Sequence, residues 1–173
     1  MKKALGQILL LGSFAVVLGL GRNVVAPGQI PWVGSWPTVD VKADSVVPPP
    51  SAQKDDPPQL TLTEAKAKFQ DKSVIFLDAR EPEDYSAGHI AGAWLLPFDE
   101  FDTYWPTVEP KLPKDQEIVT YCSGADCELS LFLARHLREL GYTKLSIFYG
   151  GWLKWQTEKM PIDTGAVTAP PPK

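Results

Sequence analysis

The chain has 173 residues, 44% of them hydrophobic, with 17 Lys and Arg against 21 Asp and Glu, 17 prolines and two cysteines. That length holds about one domain with appendages. The formal net charge of −4 argues against nucleic acid or anionic lipid as partners, and more so for Leu60 to Asp163, where eleven Lys and Arg face seventeen Asp and Glu.

The first predicted element is an N-terminal hydrophobic helix. Met1-Lys2-Lys3 leads into an apolar run from Ala4 to Leu20, interrupted by Gln7, Ser13 and small glycines. Such a run spans about 25 Å as a helix, short for a membrane crossing and also the shape of a signal peptide. Residues 1–22 are therefore expected to be a transmembrane anchor or a signal peptide. Pro27 follows the small-residue site Val24-Val25-Ala26 and disfavours cleavage there, which favours a retained anchor. Lys2 and Lys3 ahead of the run, against Arg22 behind it, place the N-terminus in the cytoplasm and the remainder outside. The expected location is a bacterial inner membrane with the domain on the periplasmic side; the alternative is secretion after cleavage.

Eight prolines fall between Pro27 and Pro58. They fix φ and remove backbone donors, so residues 23–59 are expected to form a semi-rigid linker without a core of its own. Trp32 and Trp36 suit either a membrane interface or packing on the domain. Residues 164–173, with Pro170 to Pro172, are expected to be a disordered tail. No internal repeat is present.

Residues 60–163 alternate between strand and helix patterns. Four short apolar runs, Val74 to Leu77, Ala93 to Leu96, Ile118 to Tyr121 and Leu145 to Tyr149, suit strands buried on both faces of a parallel sheet. Helices are predicted over 63–69 behind a Thr-Glu cap, 82–87, 129–140 up to Gly141, and 151–159. In the third, Leu129, Leu133, Leu137 and Leu140 share a face while Arg135, Arg138 and Glu139 point elsewhere. The fold class is α/β, an open parallel sheet flanked by helices. Tyr121 then ends a central strand and Cys122 opens the following loop, at the carboxyl edge where such sheets place their chemistry.

Four stretches in order, "FLDAREPEDYSAGHIAGAWLLP", "IVTYCSGADCELS", the "LGY" after the third helix and "FYGGWLKW", resemble a rhodanese (sulfurtransferase) domain across nearly all of 60–163. The resemblance implies that Cys122 is the sulfur-carrying cysteine, set in an active-site loop of Ser123, Gly124, Ala125, Asp126 and Glu128. A loop feeding a helix N-terminus would aim backbone N–H groups at the sulfur and favour a thiolate and then a persulfide. The resemblance further implies supporting roles for Asp78, which would orient loops, for Arg80, expected to pair with an acid such as Glu81 or Glu83, and for His89, expected to hydrogen-bond backbone. Gly150, Gly151 and Trp152 match the family's glycine pair, a close turn followed by a core aromatic.

Two features depart from the family. The loop after Cys122 carries no cation, and Asp126 and Glu128 would disfavour a thiolate and repel dianions such as thiosulfate. The second thiol, Cys127, is a candidate resolving thiol that attacks a Cys122 persulfide or caps Cys122 on oxidation; a structural bridge and a bystander role remain alternatives. A metal site needs three or four ligands, and only His89 and His136 could join the cysteines, so neither a metal nor an organic cofactor is expected. The expected function is sulfur transfer from a small donor to a thiol acceptor through a Cys122 persulfide. Its rivals are a thiol–disulfide switch and a non-catalytic docking or sensor domain.

Overall fold

The computed structural model describes residues 2–25, 48–124 and 127–165. They fall into two compact units, the first containing helix α1 (Lys2–Val25) and the second every other described element. The apolar side chains described in α1, among them Leu11, Phe14 and Val17, are exposed all round the helix. Among the described residues no helix is long and apolar enough to cross a membrane. The spanning part of the expectation for residues 1–22 is thus unsupported: Gln7, Ser13 and three glycines dilute the run. Most of residues 23–47 and the tail from 166 onward lie outside the described residues, with Trp32 and Trp36 among them.

The second unit is built on a parallel four-stranded sheet of β1 (Ile75–Asp78), β3 (Trp94–Leu95), β4 (Ile118–Tyr121) and β5 (Leu145–Phe148), in the order β3-β1-β4-β5. The register pairs Asp78 with Leu95 and Tyr121, and Tyr121 with Phe148. All four strands therefore end on one edge, where Cys122 leaves β4. Alternate side chains reach opposite faces, as strand geometry requires. Leu77, Ile118 and Cys122 join Leu133 and Leu137 in one apolar cluster, while Phe76, Val119 and Tyr121 join Phe148 and Trp155 in another.

The helices follow local chemistry. In α2 (Leu62–Gln70), Thr61 accepts from the Glu64 backbone N–H at 3.2 Å and the Glu64 carboxylate accepts from Thr61 N–H at 2.8 Å, a reciprocal cap. Pro82 opens α3 (Pro82–Ala87) without losing a helical donor. Helix α5 (Leu129–Glu139) ends at Gly141, whose φ of +92° suits glycine, and α6 (Gly151–Thr157) follows β5. Among the elements with no counterpart in the predicted pattern are one helix and two strands. Helix α4 (Phe101–Val108) forms despite Pro106, while β2 (His89–Ile90) and β6 (Ile162–Asp163) make a two-stranded antiparallel sheet.

The described end of the proline-rich segment departs from the linker expectation. Residues 48–60 lie along the domain as a strap: Ile147 N–H donates to Pro58 O at 2.9 Å, and Leu60 N–H to Ile147 O at 2.8 Å. Arg135 donates to both carboxylate oxygens of Asp56 at 2.6 and 2.8 Å and to Ser51 O at 2.9 Å. Helix α5 is consequently covered on a second side, where Leu131 and Ala134 pack with Ile147, Tyr149 and Ala52. The leucine stripe expected for α5 is present, with Leu129 and Leu140 half-buried against the cluster of Leu133 and Leu137; Ser130, Leu131 and Ala134 are buried as well and Arg135 turns to the strap.

Candidate active site

The loop after β4 is held from below by main-chain bonds. Ala79 N–H donates to Tyr121 O at 2.9 Å, and the first turn of α6 donates from Trp152 N–H to Cys122 O at 2.8 Å and from Leu153 N–H to Ser123 O at 2.9 Å. This approach needs glycine at position 151. Its φ is +56°, and a Cβ there would lie 2.3 Å from Cys122 O. Cys127 N–H closes the loop onto Gly124 O at 3.0 Å, and Glu128 then begins α5, its carbonyl accepting from Leu131 and Phe132.

Cys122 and Cys127 are joined as a disulfide, with their Cα atoms 6.3 Å apart. Cys122 has no exposed surface, whereas Cys127 is half-buried. The Cys122 Sγ lies 3.1 Å from Cys127 O and 3.9 Å from Gly124 O, and the buried Ser130 hydroxyl donates to it at 3.5 Å. In this oxidised arrangement the described polar neighbours of the sulfur are therefore carbonyls and a hydroxyl, and the expected ring of N–H donors is not among them. Ala125 and Asp126 lie outside the described residues.

The supporting residues form a buried scaffold beside the loop. Arg80 pairs with Asp78, not with Glu81 or Glu83: Nε donates to Oδ1 at 2.9 Å, Nη2 to Oδ2 at 2.6 Å, and Nη2 also to Gly88 O at 2.8 Å. The reason is burial. Asp78 and Arg80 are almost wholly desolvated and so must satisfy each other, while Glu81 and Glu83 stay exposed. Burial alone would lower the Arg80 pKa, but the Asp78 carboxylate outweighs it and holds the guanidinium above its ordinary value. The guanidinium lies over Trp152 at 5.1 Å and Tyr121 at 5.9 Å. Burial, and then Asp78, push the Tyr121 phenol well up, and its oxygen accepts from Ile90 N–H at 3.1 Å. The His89 ring stacks on Tyr85 with Nδ1 2.8 Å from Tyr85 O. None of the three touches the sulfur; Asp78 and Arg80 reach it through Trp152 and the Cys122 carbonyl. Trp152 is itself half-buried, and the core aromatic of this region is Trp155, packed on Phe69, Phe76 and Phe148.

Two features of the site were not anticipated. Glu128 accepts a short hydrogen bond from the Ser51 hydroxyl of the strap, and it adds to the burial and the Asp56 charge that push the Tyr149 phenol up to about 12. The Tyr149 hydroxyl is buried without a hydrogen-bond partner among the described residues. The carboxyl edge also carries a second set of acids. Burial and the charges of Asp99, Glu100 and Glu83 raise the Glu81 pKa, and a groove of about 450 Å³ beside it is lined by Phe98, Asp99, Glu100, Asp102 and His136. The repeated acids of "REPED" and "FDEFD" were the available signal, but only the common strand edge brings them together. Among the described residues no group of three His, Cys, Asp or Glu side chains is placed to hold a metal ion.

Comparison with known proteins adds the following. The sequence profile of the rhodanese-like domain matches residues 61–158. An HTH-type transcriptional regulator of Mycobacterium tuberculosis is 32% identical over 107 residues, covering 62% of this chain and 45% of the regulator. The thiosulfate/3-mercaptopyruvate sulfurtransferase 2 of Arabidopsis thaliana is 31% identical over 118 residues, covering 57% of this chain and 34% of that enzyme. A tRNA uridine(34) hydroxylase of Cronobacter sakazakii is 29% identical, covering 66% of this chain and 33% of the hydroxylase. The chain thus spans less than half the length of these relatives. Among solved structures, thiosulfate sulfurtransferase from Pseudomonas aeruginosa has a TM-score of 0.51 at 18% identity, covering 64% of this chain and 21% of that one. That likeness concerns the fold alone.

Proposed function

The chain belongs to the rhodanese-like domain family, and from that premise we propose that it is a sulfurtransferase that carries sulfane sulfur on Cys122. The observation that carries the reading is the position of Cys122, at the carboxyl end of β4 and at the head of the loop held by α6. The reduced thiolate attacks the outer sulfur of a donor. A Cys122 S–S bond forms, the donor's bond to that sulfur breaks, and the donor leaves with the electron pair as a thiolate or sulfite. A thiol acceptor attacks the carried sulfur next and returns Cys122 as thiolate. The Asp78–Arg80 pair and His89 hold the loop and take no part in bond making.

The acids at the carboxyl edge disfavour dianionic donors and favour neutral or organic polysulfides. The cysteine at this position supports catalysis over a purely docking role. The Cys122–Cys127 disulfide supports a second reading, a thiol–disulfide switch that shares the same nucleophile. Incubating the reduced protein with a small organic hydropersulfide and measuring intact mass tests the first reading. About one added sulfur is expected in Cys127→Ser, which keeps Cys122, and none in Cys122→Ser, a nearly isosteric change that keeps the fold. Loading that survives in Cys122→Ser would assign the sulfur elsewhere.

Location is part of the proposal. Residues 1–22 act as an export segment, retained or removed, and the domain works in an oxidising compartment. The all-round apolar surface of α1, the two leading lysines and the disulfide support this. Expression of the whole chain followed by N-terminal sequencing of the exported fraction checks it: a start at Met1 or near Pro27 agrees, and recovery wholly inside the cytoplasm contradicts it.

A further inference from the structure

We infer that Cys127 discharges the Cys122 persulfide internally, so that the chain reduces sulfane sulfur to sulfide and ends each cycle as the Cys122–Cys127 disulfide. This rests on Cys122 being the sulfur carrier and names what becomes of the sulfur. The structure contains the bond that such a discharge would leave: Cys127 Sγ is bonded to Cys122 Sγ itself, the inner sulfur of any persulfide formed there. The loop is built to allow this, since the turn from Gly124 O to Cys127 N–H, at 3.0 Å, brings the second thiol back over the first.

Access separates the two fates of a persulfide. Attack on the outer sulfur by an external thiol transfers it onward; attack on the inner sulfur by Cys127 releases it. The inner sulfur is enclosed by Cys127 O, Gly124 O and the Ser130 hydroxyl, and Cys122 has no exposed surface. Cys127 Sγ already reaches it from within the loop. A tethered thiol also acts at an effective concentration of millimolar or more, on the order of that of free cellular thiols.

The step balances without an outside oxidant. The Cys127 thiolate attacks Cys122 Sγ, a Cys122–Cys127 bond forms, and the bond from Cys122 Sγ to the carried sulfur breaks. The carried sulfur leaves as hydrosulfide with the electron pair. Two thiols are oxidised to one disulfide while one sulfane sulfur is reduced by two electrons to sulfide. Resetting needs a dithiol reductant, a small dithiol or a protein of the dithiol class. It attacks Cys127 Sγ, the half-buried member of the pair, and Cys122 leaves as a thiolate next to the Ser130 hydroxyl. The reductant departs as its own disulfide, and the chain regains both thiols.

The test uses the full chain, reduced and desalted under anaerobic conditions, then briefly exposed to a small organic hydropersulfide and desalted again. Wild type should release about one sulfide per chain after desalting and should carry a Cys122–Cys127 disulfide by peptide mass. Cys127→Ser should hold its added sulfur about tenfold longer or more, and should release sulfide only when an external thiol is supplied. Sustained sulfide production by wild type should require an added dithiol such as dithiothreitol. Equal persulfide lifetimes in the two proteins, or sulfide release from wild type without disulfide formation, overturn this inference and leave Cys122 as carrier. Failure of both proteins to load sulfur overturns this inference together with the proposed function. Wild-type stoichiometry decides the matter even if Cys127→Ser folds poorly.

Discussion

Cys122 sits in a neighbourhood that opposes negative charge. Its sulfur faces carbonyl oxygens, and the acids Glu81, Glu83, Asp99 and Glu100 gather on the same strand edge. Thiosulfate should therefore be a poor donor, and Glu128→Arg should improve kcat/KM for it by roughly fivefold, the equivalent of about 1 kcal/mol of field at the loop. The gain should shrink as salt is added, because the Debye length falls to about 8 Å at physiological ionic strength. Efficient thiosulfate turnover by wild type, with no gain in the Arg variant, would remove the electrostatic argument. At this scale much was legible. Cys122, Asp78, Arg80 and His89 stand in motifs whose spacing is visible in one dimension. The partner of Arg80 was not, because Glu81 and Glu83 are as close in sequence as Asp78, and only desolvation on the inner side of the β1 loop selects Asp78. Ser130 gave no signal, since a serine in the first turn of a helix is ordinary until the helix points its hydroxyl at a sulfur.

Among the elements, the strap of residues 48–60 is what the sequence hid. Proline spacing says that the backbone is extended and poor in donors, which is equally true of a free linker and of a segment laid on a sheet edge. The difference lies in Arg135, whose clamp on Asp56 crosses 79 residues of sequence. The Asp56 side chain is 3% exposed and that of Arg135 21%. Asp56→Asn leaves a partly buried guanidinium short of its partner and should cost about 1–3 kcal/mol, read as a lower thermal midpoint and faster proteolysis within 48–60. The same pair sets an acid limit. The hydrogen bond from Arg135 outweighs burial and holds the Asp56 carboxyl below its ordinary value, so its contribution is complete above the unfolded carboxyl pKa and is lost as pH falls through the lower, folded one. Wild type should lose protection of the strap in hydrogen exchange below about pH 4, while Asp56→Asn should lack that acid-side loss. A flat profile in both proteins would show that the clamp contributes nothing. Helix α4 escaped prediction for a related reason: Pro106 reads as a breaker, and an eight-residue helix that buries Phe101 and Val108 is stabilised by that packing more than by propensity.

For the whole molecule, the order of apolar runs and helix patterns was enough to give the parallel sheet, because strands buried on both faces leave continuous apolar stretches. The sheet order β3-β1-β4-β5 then places four strand ends on one edge, and the disulfide, the α6 turn and the acidic groove all follow from that placement. What the linear pattern could not give is which loops meet there. The central claim is that the domain exists to hold a sulfur on Cys122, and the most direct measurement is peptide mapping by mass spectrometry of reduced Cys127→Ser after brief anaerobic exposure to a small organic hydropersulfide. The account predicts one added sulfur on the peptide containing Cys122, removed on adding a thiol acceptor that gains the sulfur in turn. An unmodified Cys122 in folded protein, or sulfur retained in the presence of acceptor, would contradict it.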